Sequence, residues 1–123
     1  MGSPRVLLID DNTAFLAAAS QYLTDFCDAT VVGTAQSGAE GVQLAETLRP
    51  DVVLLDFRMP GMDGLEATRR IKALPRPPIV IMASLNAETR EQSLAEGCDA
   101  FLSKPAFTDE IGPLLTTLLQ AES

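Results

Sequence analysis

Five short apolar runs recur along the chain: Arg5-Val6-Leu7-Leu8-Ile9, Thr30-Val31-Val32-Gly33, Val52-Val53-Leu54-Leu55, Ile79-Val80-Ile81-Met82 and Ala100-Phe101-Leu102. They are rich in β-branched residues and Leu, and most are bounded by Asp, Gly or Pro, as expected of strands covered on both faces. Segments with helical periodicity lie between them. Thr13 to Phe26 puts Phe15, Ala19, Tyr22, Leu23 and Phe26 on one face, with Asp11 or Asn12 as N-cap. Ser37 caps a second helix carrying Val42, Leu44, Ala45 and Leu48, ended by Pro50. Leu65 to Leu74 runs until Pro75, Pro77 and Pro78, and Asn86 to Glu96 ends at Gly97. The last helix, about Thr108 to Gln120, carries a stripe of Ile111, Leu114, Leu115, Leu118 and Leu119. Gly112-Pro113 interrupts it, so this helix is expected to bend or to begin near Pro113. Strand and helix alternate five times, which predicts an α/β fold: a doubly wound, five-stranded parallel sheet with right-handed crossovers.

The length of 123 residues fits one domain, placed at residues 4–121, that needs no disulfide or metal to fold. With 46% hydrophobic and 21% charged residues the composition is that of a globular chain, not a disordered one. The net charge is −8, and both halves carry an acidic excess with no basic block. Direct nucleic-acid binding is therefore not expected. With no histidine, Ser–His triads and His-ligated zinc are excluded. Cys27 and Cys98 are far apart, and each precedes an aspartate, which disfavours a reactive thiolate. They read as free thiols in a reducing compartment. No apolar run approaches a membrane span, and the N-terminus lacks a signal pattern. Gly2 lacks the hydroxyl residue at position 6 that myristoylation requires. The expected location is the cytoplasm.

In a parallel sheet all strands end on one edge, where ligands bind. The unusual polar residues fall there: Asp10 and Asp11 after the first strand, Asp56 after the third, Ser84 after the fourth and Lys104 after the fifth. Three carboxylates brought together repel and require positive charge. An oxygen-only set without His suits a hard cation, Mg²⁺ first, and Lys104 adds a fixed charge. Carboxylates, Mg²⁺ and a lysine point to phosphoryl chemistry, which needs positioning and charge neutralisation. Asp56 is the candidate nucleophile for an aspartyl-phosphate, and Ser84 can donate to a phosphoryl oxygen.

These residues resemble the receiver domain of two-component response regulators, of the chemotaxis-regulator type, over nearly the whole chain. Val6-Leu7-Leu8-Ile9-Asp10-Asp11-Asn12 is similar to the family's first strand and acidic pair. Asp51 to Gly64, with Asp56-Phe57-Arg58-Met59-Pro60-Gly61 at its centre, resembles the phosphoacceptor strand and loop. Ile79 to Ser84 resembles the fourth strand with its hydroxyl residue, and Gly97 to Pro105 the fifth strand with its Lys-Pro pair. The resemblance implies a (βα)5 flavodoxin-like fold with strand order 2-1-3-4-5; general fold rules already give a chemotaxis receiver as an example of that order. It implies that a histidine kinase or phosphotransfer protein donates a phosphoryl group to Asp56. Mg²⁺ would be held by Asp11, Asp56 and the backbone carbonyl of Arg58, with Asp10 acting mostly through water. Lys104 would pair with Asp56 and later with the phosphoryl group. Ser84 and Phe101 would act as switch residues beneath a face of the fourth helix, fifth strand and fifth helix. That face would control an output and pair with a second copy. The Lys104–Pro105 bond would be cis. Ser84 stands where Thr is commoner, and Phe101 lacks the hydroxyl of a Tyr.

The leading expectation is thus a phosphorylation switch whose only chemistry is on itself, not an enzyme acting on other molecules. A haloacid-dehalogenase-type phosphatase is the second reading, but its Asp-x-Asp spacing is replaced by adjacent carboxylates. A flavin-binding module is disfavoured by acid in the loop Asp11-Asn12-Thr13-Ala14 and the lack of Trp. An inert adaptor is disfavoured by the full set of acceptor, acidic pair, Ser and Lys. The stretch from Met59 to Ile71 looks like receivers often fused to a helix-turn-helix domain, so the chain is either a single-domain regulator or a receiver from a longer protein.

Overall fold

The computed structural model describes residues 2–122. Strands β1 (Arg5–Ile9), β2 (Thr30–Ala35), β3 (Val52–Asp56), β4 (Ile79–Ser84) and β5 (Ala100–Ser103) alternate with helices α1 (Thr13–Phe26), α2 (Gly38–Leu48), α3 (Gly64–Lys72), α4 (Arg90–Glu96) and α5 (Phe107–Glu122). The sheet is parallel throughout, in the order β2-β1-β3-β4-β5. This is the expected flavodoxin-like (βα)5 topology.

Alternation along each strand divides the core in two. Val6, Leu8, Leu54, Ile81 and Leu102 face α1 and α5. Leu7, Ile9, Val53, Leu55, Val80, Met82 and Phe101 face the opposite layer, which holds α2 and α3. Every residue of β3 and β4 is buried, which is why those runs carry no polar alternation. Asn12, Ser37 and Asp63 cap α1, α2 and α3 through their side-chain oxygens.

Four expectations need correction. Helix α5 begins at Phe107, one residue from the expected Thr108, and runs through Pro113, so the alternative start near Pro113 falls. Phe107, Ile111 and Leu115, spaced four apart and all buried, pin its first turns to the sheet. The fourth helix is shorter than Asn86–Glu96: Asn86 caps a 3-10 turn over Ala87–Thr89, and α4 starts only at Arg90. Phe26 does not belong to the buried stripe of α1; it is 74% exposed, and Leu16 is buried in the core with Ala19 and Leu23. Phe26 is the last residue of the helix, where the chain turns toward β2 through Asp28 at φ 51°. Finally, among the described residues every peptide bond is trans, the Lys104–Pro105 bond included. Lys104, Pro105 and Ala106 form a 3-10 turn leading into α5, with Pro at its start.

Candidate functional site

Asp10 follows β1 and Asp56 ends β3, and β1 and β3 are hydrogen-bonded neighbours. Topology alone therefore brings these carboxylates together. One carboxylate oxygen from each of Asp10, Asp11 and Asp56 lies within 4.8 Å of the others. Asp10 is only 2% exposed and Asp56 7%, whereas Asp11 faces solvent. The backbone N–H of Asn12 donates to Asp10 Oδ1 at 2.9 Å, which orients that carboxylate inward.

Lys104 enters from the end of β5. Its Nζ lies 2.6 Å from Asp10 Oδ2 and 3.1 Å from Asp56 Oδ1, so it bridges two buried anions. The approach to Asp10 Oδ2 is close but poorly aligned, and that buried oxygen has no hydrogen bond of good geometry. The contact is best described as an ion pair. Phe15, in the first turn of α1, presents its ring to the same ammonium, with Nζ 4.6 Å from the ring centroid. Sequence reasoning gave Phe15 only a core role. Its place one helical turn after the Asn12 cap was the available signal.

The electrostatics follow from this crowding. Burial, and then the charge of Asp10, push the Asp56 carboxyl up to about 6; Lys104 partly offsets both. Burial alone would lower Lys104, but contacts with Asp10 and Asp56 outweigh it and hold the ammonium above its ordinary value. Both thiols are pushed up, chiefly by burial, as inert cysteines should be.

Ser84 is buried at the end of β4, on the same sheet edge as Asp56. Its hydroxyl is committed to its own loop: Oγ accepts the N–H of Asn86 at 3.0 Å and donates to the Asn86 carbonyl at 3.2 Å. Phe101 is buried, and Arg90 lies over its ring with Cζ 6.0 Å from the centroid. Arg58 is exposed and extends over Phe57 at 5.9 Å. Together with Asp11, Met59 and Asp63 it lines a hollow of about 360 Å³ beside the carboxylates. Gly64 closes the loop from below: its N–H donates to the Phe57 carbonyl, and a Cβ there would lie 2.5 Å from the carbonyl oxygen of Asp56.

The donor set is made only of oxygens, is partly buried, and includes the poorly satisfied Asp10 Oδ2. These residues fit a hard divalent cation. Chemically, the arrangement can place a carboxylate nucleophile between a cation and a fixed ammonium.

Comparison with known proteins agrees with this geometry. A family model described as "Response regulator receiver domain" matches residues 6–115. The nitrate/nitrite response regulator protein NarL of Escherichia coli K12 is 38% identical over 118 residues, covering 94% of this chain and 53% of that protein. The signal receiver domain of the putative response regulator NarL from Mycobacterium tuberculosis superposes with a TM-score of 0.89 at 30% identity, over 98% of both chains. The CheX–CheY–BeF3–Mg complex from Borrelia burgdorferi contains a chain that matches with a TM-score of 0.85 at 25% identity, over 94% of this chain and 88% of that one. The chain spans about half the length of its curated NarL relative. Sheet order, strand-end acids and sequence thus agree, and the chain belongs to the response regulator receiver domain family.

Proposed function

We propose that this domain accepts a phosphoryl group on Asp56 from the phosphohistidine of a histidine kinase or phosphotransfer protein, and transmits the change to an output surface. The observation that carries the reading is the grip of one buried lysine on two carboxylates of unequal burden. Asp56 is the acceptor, with a carboxyl that is mostly ionised at neutral pH yet raised enough to remain a competent nucleophile. Its oxygen attacks phosphorus as the phosphorus–nitrogen bond of the donor breaks. The electron pair leaves with the imidazole nitrogen, which takes up a proton. Lys104 is placed to follow the transferred charge onto the phosphoryl oxygens.

Asp11, Asp56 and the Arg58 backbone carbonyl would hold Mg²⁺ directly, and Asp10 mostly through water; when bound, the ion supplies charge neutralisation. The similar CheX–CheY complex from Borrelia burgdorferi contains BeF3 and Mg²⁺, which supports this choice of ion. Ser84 is the switch residue: freeing its hydroxyl from Asn86 lets it donate to the phosphoryl group. Phe101 is the second switch residue, lying under α4. The output surface is the face of α4, β5 and α5, supported by the exposed apolar side chains of Leu85 and Leu94, and a second copy can pair there. The working unit is residues 4–121, in the cytoplasm, and it catalyses only its own phosphorylation and dephosphorylation. Among the described residues no helix is long and apolar enough to cross a membrane.

The test is incubation with acetyl phosphate and Mg²⁺, followed by intact mass. Wild type should gain one phosphoryl group and Asp56→Asn none. Continuous turnover of a free phosphate ester would instead favour a phosphatase.

A further inference from the structure

The nine basic side chains divide unevenly between engaged and unengaged. Arg5 donates to the carbonyls of Leu48 and Arg49. Arg69, Arg70, Lys72 and Lys104 are ion-paired, and Arg58 and Arg90 lie over aromatic rings. Only the guanidinium groups of Arg49 and Arg76 have no partner among the described residues. Both line one cavity of about 630 Å³. In a chain of net charge −8, the two unengaged cations share a single groove.

The groove lies at the edge of the sheet where the strands begin. The end of α2 forms one wall, and the α3–β4 connection forms the other. Its apolar lining comes from Ala45, Leu74 and three prolines, including the buried Pro50 and Pro78. These prolines lack N–H groups and have fixed φ, so the lining is preformed and offers few donors of its own. Glu46 is the one acid on the rim. Asp56 stands at the far end of β3, about 15 Å away by strand rise, so the groove remains open while the acceptor reacts.

A second observation concerns Arg49. It caps α2 in the left-handed region, at φ 50° and ψ 61°, where glycine is the usual residue. That conformation is strained for an arginine. Arg5 holds the turn by donating to its carbonyl at 2.7 Å. The fold thus keeps a strained residue whose guanidinium serves nothing inside the molecule.

We infer that this groove docks a linear segment of a partner protein in which an apolar side chain is flanked by acidic residues. The apolar residue packs on Leu74 and the prolines, while carboxylates reach Arg49 and Arg76, whose planar groups suit them. A small-molecule occupant fits less well, because the polar side chains of the lining, Glu46, Arg49 and Arg76, are all exposed and none is buried to orient a ligand.

The experiment uses ¹⁵N-labelled full chain and two synthetic peptides, one of alternating Leu and Glu and its Leu–Gln analogue. The Leu–Glu peptide should shift the amides of Ala45, Arg49, Leu74 and Arg76 in a saturable manner and leave Asp56 unmoved. Affinity should fall about fivefold or more in Arg76→Gln and further in Arg49→Gln/Arg76→Gln, or on adding salt. Glu46→Gln should tighten binding. Thermal melts of each variant check the fold, and Arg76→Gln leaves the strained turn untouched. Equal binding of the Leu–Gln peptide, shifts elsewhere only, shifts reproduced by inorganic phosphate alone, or no shifts would each overturn the inference.

Discussion

Replacing Asp56 by Asn in the metal-free protein should raise stability at neutral pH and leave it unchanged in acid. The Asp56 carboxyl titrates at about 6 in the fold against 3.8 for an ordinary aspartate, because it is buried and stands beside Asp10, with only Lys104 in opposition. The folded chain thus holds a proton that the unfolded chain has released. That contribution is fully present below about pH 4 and is lost as the pH rises through 6. Two pK units correspond to about 3 kcal/mol. The site opens to solvent on the side of the exposed Asp11, and screening from that side reduces the figure to about 1–2 kcal/mol. The substituted amide would keep an oxygen for Lys104 without ionising. Above pH 6 the variant should therefore melt about 4–8 °C higher than wild type in EDTA, with the gap closing toward pH 4. Thermal unfolding followed by circular dichroism from pH 4 to pH 8 reads this directly. A gap independent of pH, or a variant less stable at pH 8, would refute the electrostatic account.

Three further outcomes follow from the same geometry. Asp10→Ala should weaken Mg²⁺ binding by about tenfold, as loss of a water-mediated partner does, and Asp11→Ala by more; equal affinities by calorimetry would contradict the division of roles. Arg58→Ala should shorten the life of the phosphorylated state by about twofold or more if the guanidinium can swing from Phe57 across the phosphoryl group, and an unchanged or slower decay would reject shielding. Gly64→Ala should cost about 1–3 kcal/mol and slow phosphorylation, because the new methyl meets the Asp56 carbonyl and the Phe57 backbone more closely than the Met82 side chain, and backbone cannot yield as a side chain can; melting and labelling rates measure both.

The strands were legible because β1, β3 and β4 are nearly wholly buried, so their composition is apolar without interruption. The acidic cluster was legible because parallel strands deliver their ends to one edge. What failed was orientation and local competition. Nothing in the spacing distinguishes Lys104 reaching Asp10 at 2.6 Å from Lys104 reaching Asp56 alone, since that depends on side-chain rotamers. The hydroxyl of Ser84 is diverted by the Asn86 backbone, a contact over two residues that competes with the site. Pro113 was overridden by the buried row of Phe107, Ile111 and Leu115, a case of packing outweighing propensity. Phe26 continued the periodicity of α1 past the point where the sheet could cover it.

The central claim is that Asp56 alone takes the phosphoryl group. Borohydride reduction of the phosphorylated protein converts an aspartyl-phosphate to homoserine, and peptide mass mapping then locates it. The account predicts homoserine at position 56 and at no other aspartate, with none in protein that was never phosphorylated. Homoserine at position 10 or 11, or label that survives Asp56→Asn, would contradict it.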